Sequence, residues 1–264
     1  MISPTERMIA EVDGPIGWMV FNNPAKLNAM SADMWAAMPA LIDHFESDPA
    51  VRVIVLKGAG DKAFISGADI NRFDERRASA ETDARDSENF RNALSRLEHC
   101  AKPTIAMIRG YCLGGGLLVA MHCDMRLAAE SARLGIPAAK LGIAYTFSGV
   151  QKVLDLVGPA NAREMLFTAR QFNGGEAQAM GLVNRAVPAD ELDTFTRFYC
   201  ASMAENAPLS IAASKAVIAE LTKLRGDIDR AKCEAIAKHC AESADFAEGR
   251  RAFAEKRKPV FQGK

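Results

Sequence analysis

Two glycine-bearing segments hold the residues of this chain best suited by type and spacing to do chemistry. KAFISGADI, residues 62–70, and GYCLGGGLL, residues 110–118, each lie between a run that predicts a strand and a run that predicts a helix. In the first, Gly67 lets the backbone turn and approach a ligand closely, and the neighbouring amides lack strand partners if the chain bends there. A plain tight turn is the alternative reading of that segment. In the second, Gly114, Gly115 and Gly116 open a helix directly after a buried strand. A helical glycine costs ~1 kcal/mol relative to alanine, so a need beyond turning selects this run. A helix start offers free N–H groups and the positive end of the dipole to an anionic oxygen. Together the two segments can aim a pair of backbone N–H donors at one thioester or carboxylate oxygen, an oxyanion hole.

Other chemistries find less support. Neither segment is G-x-G-x-x-G followed by an acid, and neither carries the Gly-Lys-Ser/Thr of a phosphate loop, so NAD and ATP are not expected. His44, His99, His122 and His239 show no metal-ligand spacing, and no metal is expected. His122 reads as a core histidine hydrogen-bonded to backbone, one turn after Leu118, with a part in proton transfer as the alternative. Asp124, at the start of the next expected strand, reads as a turn anchor.

The elements that must position these segments follow from periodicity. Met8 to Val12 and Ile16 to Phe21 flank Asp13-Gly14-Pro15 as a hairpin. A helix is expected from a Ser31 cap to about Ser47, and buried strands at Val51 to Leu56 and Thr104 to Ile108. Between them, Asn71 to about Ser87 is polar and reads as a mobile loop or frayed helix, followed by a helix from about Glu88 to Cys100. This alternation predicts an α/β fold with one sheet covered by helices. After Pro188, Ala189–Ala204, Pro208–Leu224, Asp227–Ala244 and Phe246–Lys256 read as successive helices with no sheet to cover. A β/α part over residues 1–205 and a helical part over 206–264 are therefore expected, and an oligomer that buries the helical stripes.

Composition narrows the class. The chain's 264 residues suit roughly two domains at ~150 each. Its 33 basic and 33 acidic side chains balance, which argues against a nucleic-acid partner. The longest uncharged stretch, Gly110 to Cys123, is shorter than the ~20 apolar residues of a spanning helix, so no membrane partner is expected. The N-terminus shows no targeting signal and the six cysteines form no C-x-x-C pair. A cytoplasmic protein with reduced, structural thiols is expected.

The ordered set Asn23-Pro24-x-Lys26-x-Asn28-Ala29, KAFISGADI, Lys102-Pro103 leading into GYCLGGG, Cys123-Asp124, Glu176-Ala177 with Met180-Gly181-Leu182-Val183-Asn184, and AFAEKRKPVF spans essentially the whole chain. It resembles the enoyl-CoA hydratase/isomerase (crotonase) superfamily. The resemblance implies a spiral of ββα units, a C-terminal helical trimerisation domain, and a trimer or dimer of trimers that binds an acyl-CoA thioester. Coenzyme A then enters as part of the substrate, with no separate cofactor. The implied oxyanion donors are the amides of Ala68 and Gly115. Ser66, Gly67 and Ala68 are implied around the adenine, Lys26 near the CoA phosphates, and Phe261 as a C-terminal aromatic that reaches a CoA site.

The departures are informative. Hydratases of this type carry one glutamate three residues after the middle glycine and another after the proline that precedes Leu-Gly. Leu118 and Ala138 stand there. Neither can move a proton, and an acid and a base are each worth ~10²–10⁴-fold in hydration. Thr146 falls near the aspartate of related dehalogenases. Leu141 to Tyr145 with Gly149 resembles methylmalonyl-CoA decarboxylases, whose tyrosine helps position a carboxylate, although their first loop has a histidine where Ala68 stands. Tyr145 as a packed phenol remains the alternative. The expected function is an enzyme stabilising a thioester enolate; a decarboxylase or a catalytically silent acyl-CoA-binding protein are the alternatives.

Overall fold

The computed structural model describes residues 4–68, 80–141, 145–222 and 242–264, with positions 229, 231, 232, 235, 238 and 239. In chain order its strands are β1 (Met8–Asp13), β2 (Ile16–Phe21), β3 (Val53–Gly58), β4 (Ala63–Ile65), β5 (Thr104–Ile108), β6 (Tyr111–Leu113), β7 (Met125–Ala129), β8 (Arg133–Gly135) and β9 (Arg185–Val187). The helices are α1 (Ala32–Ser47), α2 (Ala80–Glu98), α3 (Gly115–His122), α4 (Phe147–Thr168), α5 (Gly174–Ala179), α6 (Leu192–Ala204), α7 (Pro208–Leu221) and α8 (Ala244–Glu255).

Two sheets share the strands. A six-stranded sheet runs β1-β2-β3-β5-β7-β9, antiparallel only at the β1–β2 hairpin. A parallel three-stranded sheet runs β4-β6-β8. Successive chain turns thus place β3, β5 and β7 in the large sheet and β4, β6 and β8 in the small one, with a helix closing each turn: a spiral of ββα units. Val53 to Leu56 and Thr104 to Ile108 are fully buried, as strands covered on both faces must be. Burying VIVL alone removes four large apolar side chains from water, each worth ~1.5–3 kcal/mol.

The expectation of a single sheet is corrected. The second sheet consists of three-residue strands, too short for an alternation of apolar and polar residues to show. The helix expected from Glu88 begins at Ala80, so the segment expected up to Ser87 as a mobile loop or frayed helix is helical from Ala80 on, while residues 69–79 lie outside the described residues. α2 packs along α1, and its first turns carry too few apolar residues to mark a helix in the sequence. Ser31 does occupy the N-cap of α1, but its hydroxyl donates to Asp33 Oδ1 at 2.5 Å rather than capping an amide. α6 is also corrected: it packs against β3, β5 and β7 and covers the large sheet. Of the expected helix Asp227–Ala244, half of the residues lie outside the described ones. Cys100, Cys112, Cys123 and Cys200 are buried free thiols, as expected, whereas Cys233 and Cys240 lie outside the described residues. Among the described residues no helix is long and apolar enough to cross a membrane.

Candidate active site

The two glycine segments meet. Ala68 lies just past β4, where the chain runs beside the loop after β2. Ser66 N donates to Leu27 O at 3.1 Å, Met30 N donates to Gly67 O at 2.9 Å, and Met30 and Ala68 form an isolated parallel bridge. Gly67 has φ +131°, which side chains rarely adopt, so the sequence reading of a turning point holds. Across the gap, N-cap Gly114 has φ +53° and donates its N–H to Gly135 O at 2.9 Å. Leu118 N is the first amide bonded back into α3, to Gly114 O at 3.0 Å, so the preceding amides sit at the open positive end of the helix.

A Cβ built on Gly115 would lie 3.8 Å from Ala68 N and 4.0 Å from Trp35 Cζ2. The Ala68 and Gly115 amides therefore border one gap, and neither has an acceptor among the described residues. Trp35, buried on α1 and edge-on to Phe90 of α2 with ring centroids 4.9 Å apart, forms the floor beside it. Gly116 serves a different purpose: a Cβ there would meet Ile65 O at 2.2 Å, so this glycine lets α3 lie against β4. An oxygen entering the gap would meet two N–H donors, an arrangement able to hold negative charge.

The far end of α3 is closed by a cation. Arg126 Nη1 donates to Ala120 O (3.2 Å) and Cys123 O (2.8 Å), and Nε to Leu182 O (2.8 Å). Burial lowers its pKa, yet guanidinium stays charged and meets the negative end of the helix. Asn184 Oδ1 accepts from Arg126 N at 2.8 Å, and Glu176 forms a capping box with Asn173 at the start of α5. Glu176 and Asn184, two of the residues quoted from the C-terminal half of the motif set, are thus structural.

The remaining candidates divide. Leu118 is buried within the core, and Ala138 is half-buried on the 3-10 turn Pro137–Leu141. That turn reaches the same helix start, since Pro137 Cδ would lie 4.0 Å from a Cβ on Gly114. Ser66 Oγ donates to Lys26 O at 3.4 Å, so those two are neighbours beside Ala68, with Lys26 exposed. Phe261 is not with them. Its carbonyl accepts from Arg52 Nη1 at 3.4 Å, at the start of β3, whereas the Ala68 loop lies past the other end of that strand.

Tyr145 lies before α4 with its ring over Gly149, where a Cβ would sit 2.6 Å from Cε1. Its hydroxyl is sealed from solvent and has no hydrogen-bond partner among the described residues. Burial first, then the neighbouring Cys112, pushes the phenol well above its ordinary pKa, so it keeps its proton. Thr146 caps α4, its Oγ1 accepting from Gly149 N at 3.2 Å. His122 Nδ1 donates to Leu118 O at 2.8 Å, and Nε2 stands 3.9 Å from Glu98, which holds Lys152 at 2.5 Å. Burial first, then Lys152, keeps the imidazole below its usual pKa against the opposing pull of Leu118 O and Glu98. Asp124 Oδ2 accepts from Thr104 N (2.8 Å), Thr104 Oγ1 (2.9 Å) and Lys215 Nζ (2.7 Å), which is an anchor joining two strands and α7. Burial pushes the thiols of Cys100 up to about 11 and of Cys123 up to about 12, far from a thiolate nucleophile at neutral pH.

Two residues of this neighbourhood escape sequence reasoning. Trp35 looks like any apolar position of a helix. Arg126 carries a signal that was there to use, a lone charge in the apolar strand MRLAA, where burial demands several acceptors.

Comparison with known proteins agrees with this architecture. A family model described as enoyl-CoA hydratase/isomerase matches residues 11–264. The chain is 37% identical over 262 residues to a crotonyl-CoA hydratase of Syntrophomonas wolfei, covering 98% of this chain and 99% of that one. It is 36% identical over 255 residues to a short-chain-enoyl-CoA hydratase of Clostridium acetobutylicum, covering 95% of each. Among solved structures, an enoyl-CoA hydratase/carnithine racemase from Magnetospirillum magneticum superposes with a TM-score of 0.93 at 34% identity, covering 99% of this chain and 97% of that one. A spiral of ββα units with two peptide amides bordering one gap, matched over nearly its whole length by these proteins, makes this chain a member of the enoyl-CoA hydratase/isomerase (crotonase) family.

Proposed function

We propose that the protein is an enzyme that binds an acyl-CoA thioester and stabilises its enolate oxygen through the Ala68 and Gly115 amides. The observation that carries this reading is the placement of those two amides, which have no acceptor among the described residues, with a Gly115 Cβ position only 3.8 Å from Ala68 N. Removing one such donor typically costs ~10²–10³ in rate. Lys26 and Ser66, adjacent to that loop, are assigned to the coenzyme A moiety, with Gly67 giving the backbone close approach. No separate cofactor is assigned.

The step that follows enolate formation is assigned from what is missing. Relatives are named hydratases, but Leu118 and Ala138 offer no proton where the resemblance expects acids. We therefore assign a lyase whose substrate supplies its own proton-transfer group or loses carbon dioxide. The buried Tyr145 hydroxyl favours the second form, a decarboxylation resembling that of methylmalonyl-CoA decarboxylases. A neutral phenol with no partner among the described residues is a donor suited to a substrate carboxylate. The C–C bond to the carboxylate breaks and carbon dioxide leaves, the bonding electrons pass into the thioester enolate, and the α-carbon then takes a proton from water.

An assembly of three copies, or two such trimers, is part of the proposal, with residues 1–205 as the acyl-CoA-binding spiral and 206–264 as the helical part. Phe261 lies at the wrong end of β3 to reach the Ala68 loop of its own chain, so the CoA site it serves belongs to another copy. Phe147, 84% exposed, with Val150 and Leu154 forms an apolar stripe on α4 that a second copy would bury. We place the protein in the cytoplasm, where buried thiols stay reduced.

Calorimetric titration with acetyl-CoA, followed by turnover assays on crotonyl-CoA, methylmalonyl-CoA and a β-diketone thioester, tests the reading. Binding with turnover of a carboxylated or diketone thioester is expected. Binding without turnover of any of them replaces the enzyme by a silent acyl-CoA-binding protein, and no binding at millimolar ligand refutes both.

A further inference from the structure

Resting on that reading, we infer that Asn28 is the positioning residue of the first oxyanion donor, holding the Ala68 amide toward Gly115 from a fully buried site that never touches the substrate. Asn28 is completely buried and every polar atom of its side chain is used on backbone. Nδ2 donates to Ala59 O at 3.1 Å and to Ala63 O at 2.7 Å, and Oδ1 accepts from Asn23 N at 3.0 Å. One side chain therefore ties together the loop after β2, the exit of β3 and the start of β4. The two bonds that set the Ala68 loop flank it on the same segment, Ser66 N to Leu27 O and Met30 N to Gly67 O.

The local backbone shows why the type matters. Leu27 and Asn28 have φ +51° and +56°, two consecutive left-handed residues that are kept only where the surroundings over-determine them. Asparagine tolerates this region better than most residues and brings both a donor and an acceptor. Gly58 completes the arrangement, since a Cβ there would meet Ala63 O at 2.1 Å and Asn28 Nδ2 at 2.6 Å. The turn is closed from within by Leu27 N to Pro24 O (3.1 Å) and Asn28 N to Asn23 O (2.9 Å), and the two donations from Nδ2 fix it against the exit of β3 and the start of β4; without them residues 27 and 28 can shift as a unit. The carbonyl of Leu27 and the amide of Met30, which fix Ser66 and Gly67, would move with them.

The test reads the site rather than stability alone: the infrared carbonyl stretch of carbonyl-labelled acetyl-CoA bound to the full chain. Two amide donors should lower its frequency relative to free acetyl-CoA. In Asn28→Asp the side chain keeps its shape but, ionised, repels Ala59 O and Ala63 O. The frequency shift should fall by more than half while Kd weakens by less than about tenfold, the worth of one modest contact. Lowering the pH, which protonates the buried aspartate and restores one donor, should bring the shift back. Val53→Ala, at the far end of β3, removes buried methyl groups and lowers the melting temperature, yet should leave the shift intact. An unchanged shift in Asn28→Asp, or an equal loss in Val53→Ala, overturns the assignment to Asn28. A wild-type protein that binds acetyl-CoA with no shift, or does not bind it, overturns the oxyanion reading and this inference with it. Should Asn28→Asp not fold, Asn28→Ser, smaller and still able to donate once, takes its place with the same expectation of a reduced shift.

Discussion

Alanine at Gly115 and alanine at Gly116 add the same methyl group to adjacent residues, and the structure gives them opposite consequences. At Gly115 the new carbon lies 3.8 Å from Ala68 N and 4.0 Å from Trp35 Cζ2, both ordinary contacts, in a helical conformation that alanine accepts. Replacing a helical glycine by alanine stabilises by ~0.5–1 kcal/mol, so the fold should hold or gain. An oxygen bound to Ala68 N must sit ~2.9 Å from that nitrogen, on the side the methyl now shares. The loss should match that of an oxyanion donor, ~10²–10³ in kcat, or about 3–4 kcal/mol of barrier. At Gly116 the methyl meets Ile65 O at 2.2 Å and Ile65 Cβ at 2.6 Å, so α3 must lift from β4. Overpacking of that kind costs ~1–3 kcal/mol, which for a chain of this length is a fall of roughly 2–4 °C in Tm per kcal/mol. Thermal melts and thioester turnover on the two variants separate the cases. If Gly115→Ala keeps full activity, or if Gly116→Ala melts with the wild type, the geometry drawn for this gap is wrong.

Three further outcomes follow from the same neighbourhood. Leu118→Glu with Ala138→Glu should lower Tm, because two carboxylates enter sites shaped for apolar groups, and should raise crotonyl-CoA hydration well above the parent; a parent that already turns over crotonyl-CoA at ~1–10³ per second shows that another group moves the proton. Tyr145→Phe deletes a buried hydroxyl that has no partner among the described residues, so the free protein should gain stability, by about 1 kcal/mol, while turnover of a carboxylated thioester falls; a loss of stability instead would mean the hydroxyl is bonded in solution. Burial holds His122 below the ~6.5 at which the unfolded chain protonates, so the unfolded state binds more protons as the pH drops through that value. Stability from the neutral imidazole is complete above that pH and is lost below it. His122→Gln should flatten the decline of chemical-denaturation stability between neutral pH and about pH 5, and an unchanged slope rejects the assignment.

How much of this was legible in the sequence depends on what each element owes to its own residues. VRVIVL announces a buried strand because β-branched residues and flanking glycines leave no other reading, and the triple glycine announces a helix start with a special demand. The small sheet was invisible because AFI, YCL and RLG are three residues long, and their strand state comes from neighbours rather than from any pattern within them. α2 begins eight residues early for a related reason, since its buried apolar residues Ala93, Leu94 and Leu97 all lie in its last turns, and the earlier turns carry no apolar pattern to read. Asp124 read correctly as an anchor, because an acid at a strand start has backbone donors close by. Asn28 sat in plain view inside the quoted motif, but its three partners come from residues 23, 59 and 63, a meeting that only the folded chain produces.

Both donors in the gap are peptide N–H groups, and a peptide amide neither gains nor loses its proton at any pH where this fold persists. The anion-holding capacity is thus invariant with acidity, and Tyr145 is held too far above neutrality to bend a rate profile there. Whatever acid or alkaline limb appears in kcat near neutral pH belongs to the substrate or to a group outside the gap, which turns the shape of that curve into a direct reading of where the proton comes from.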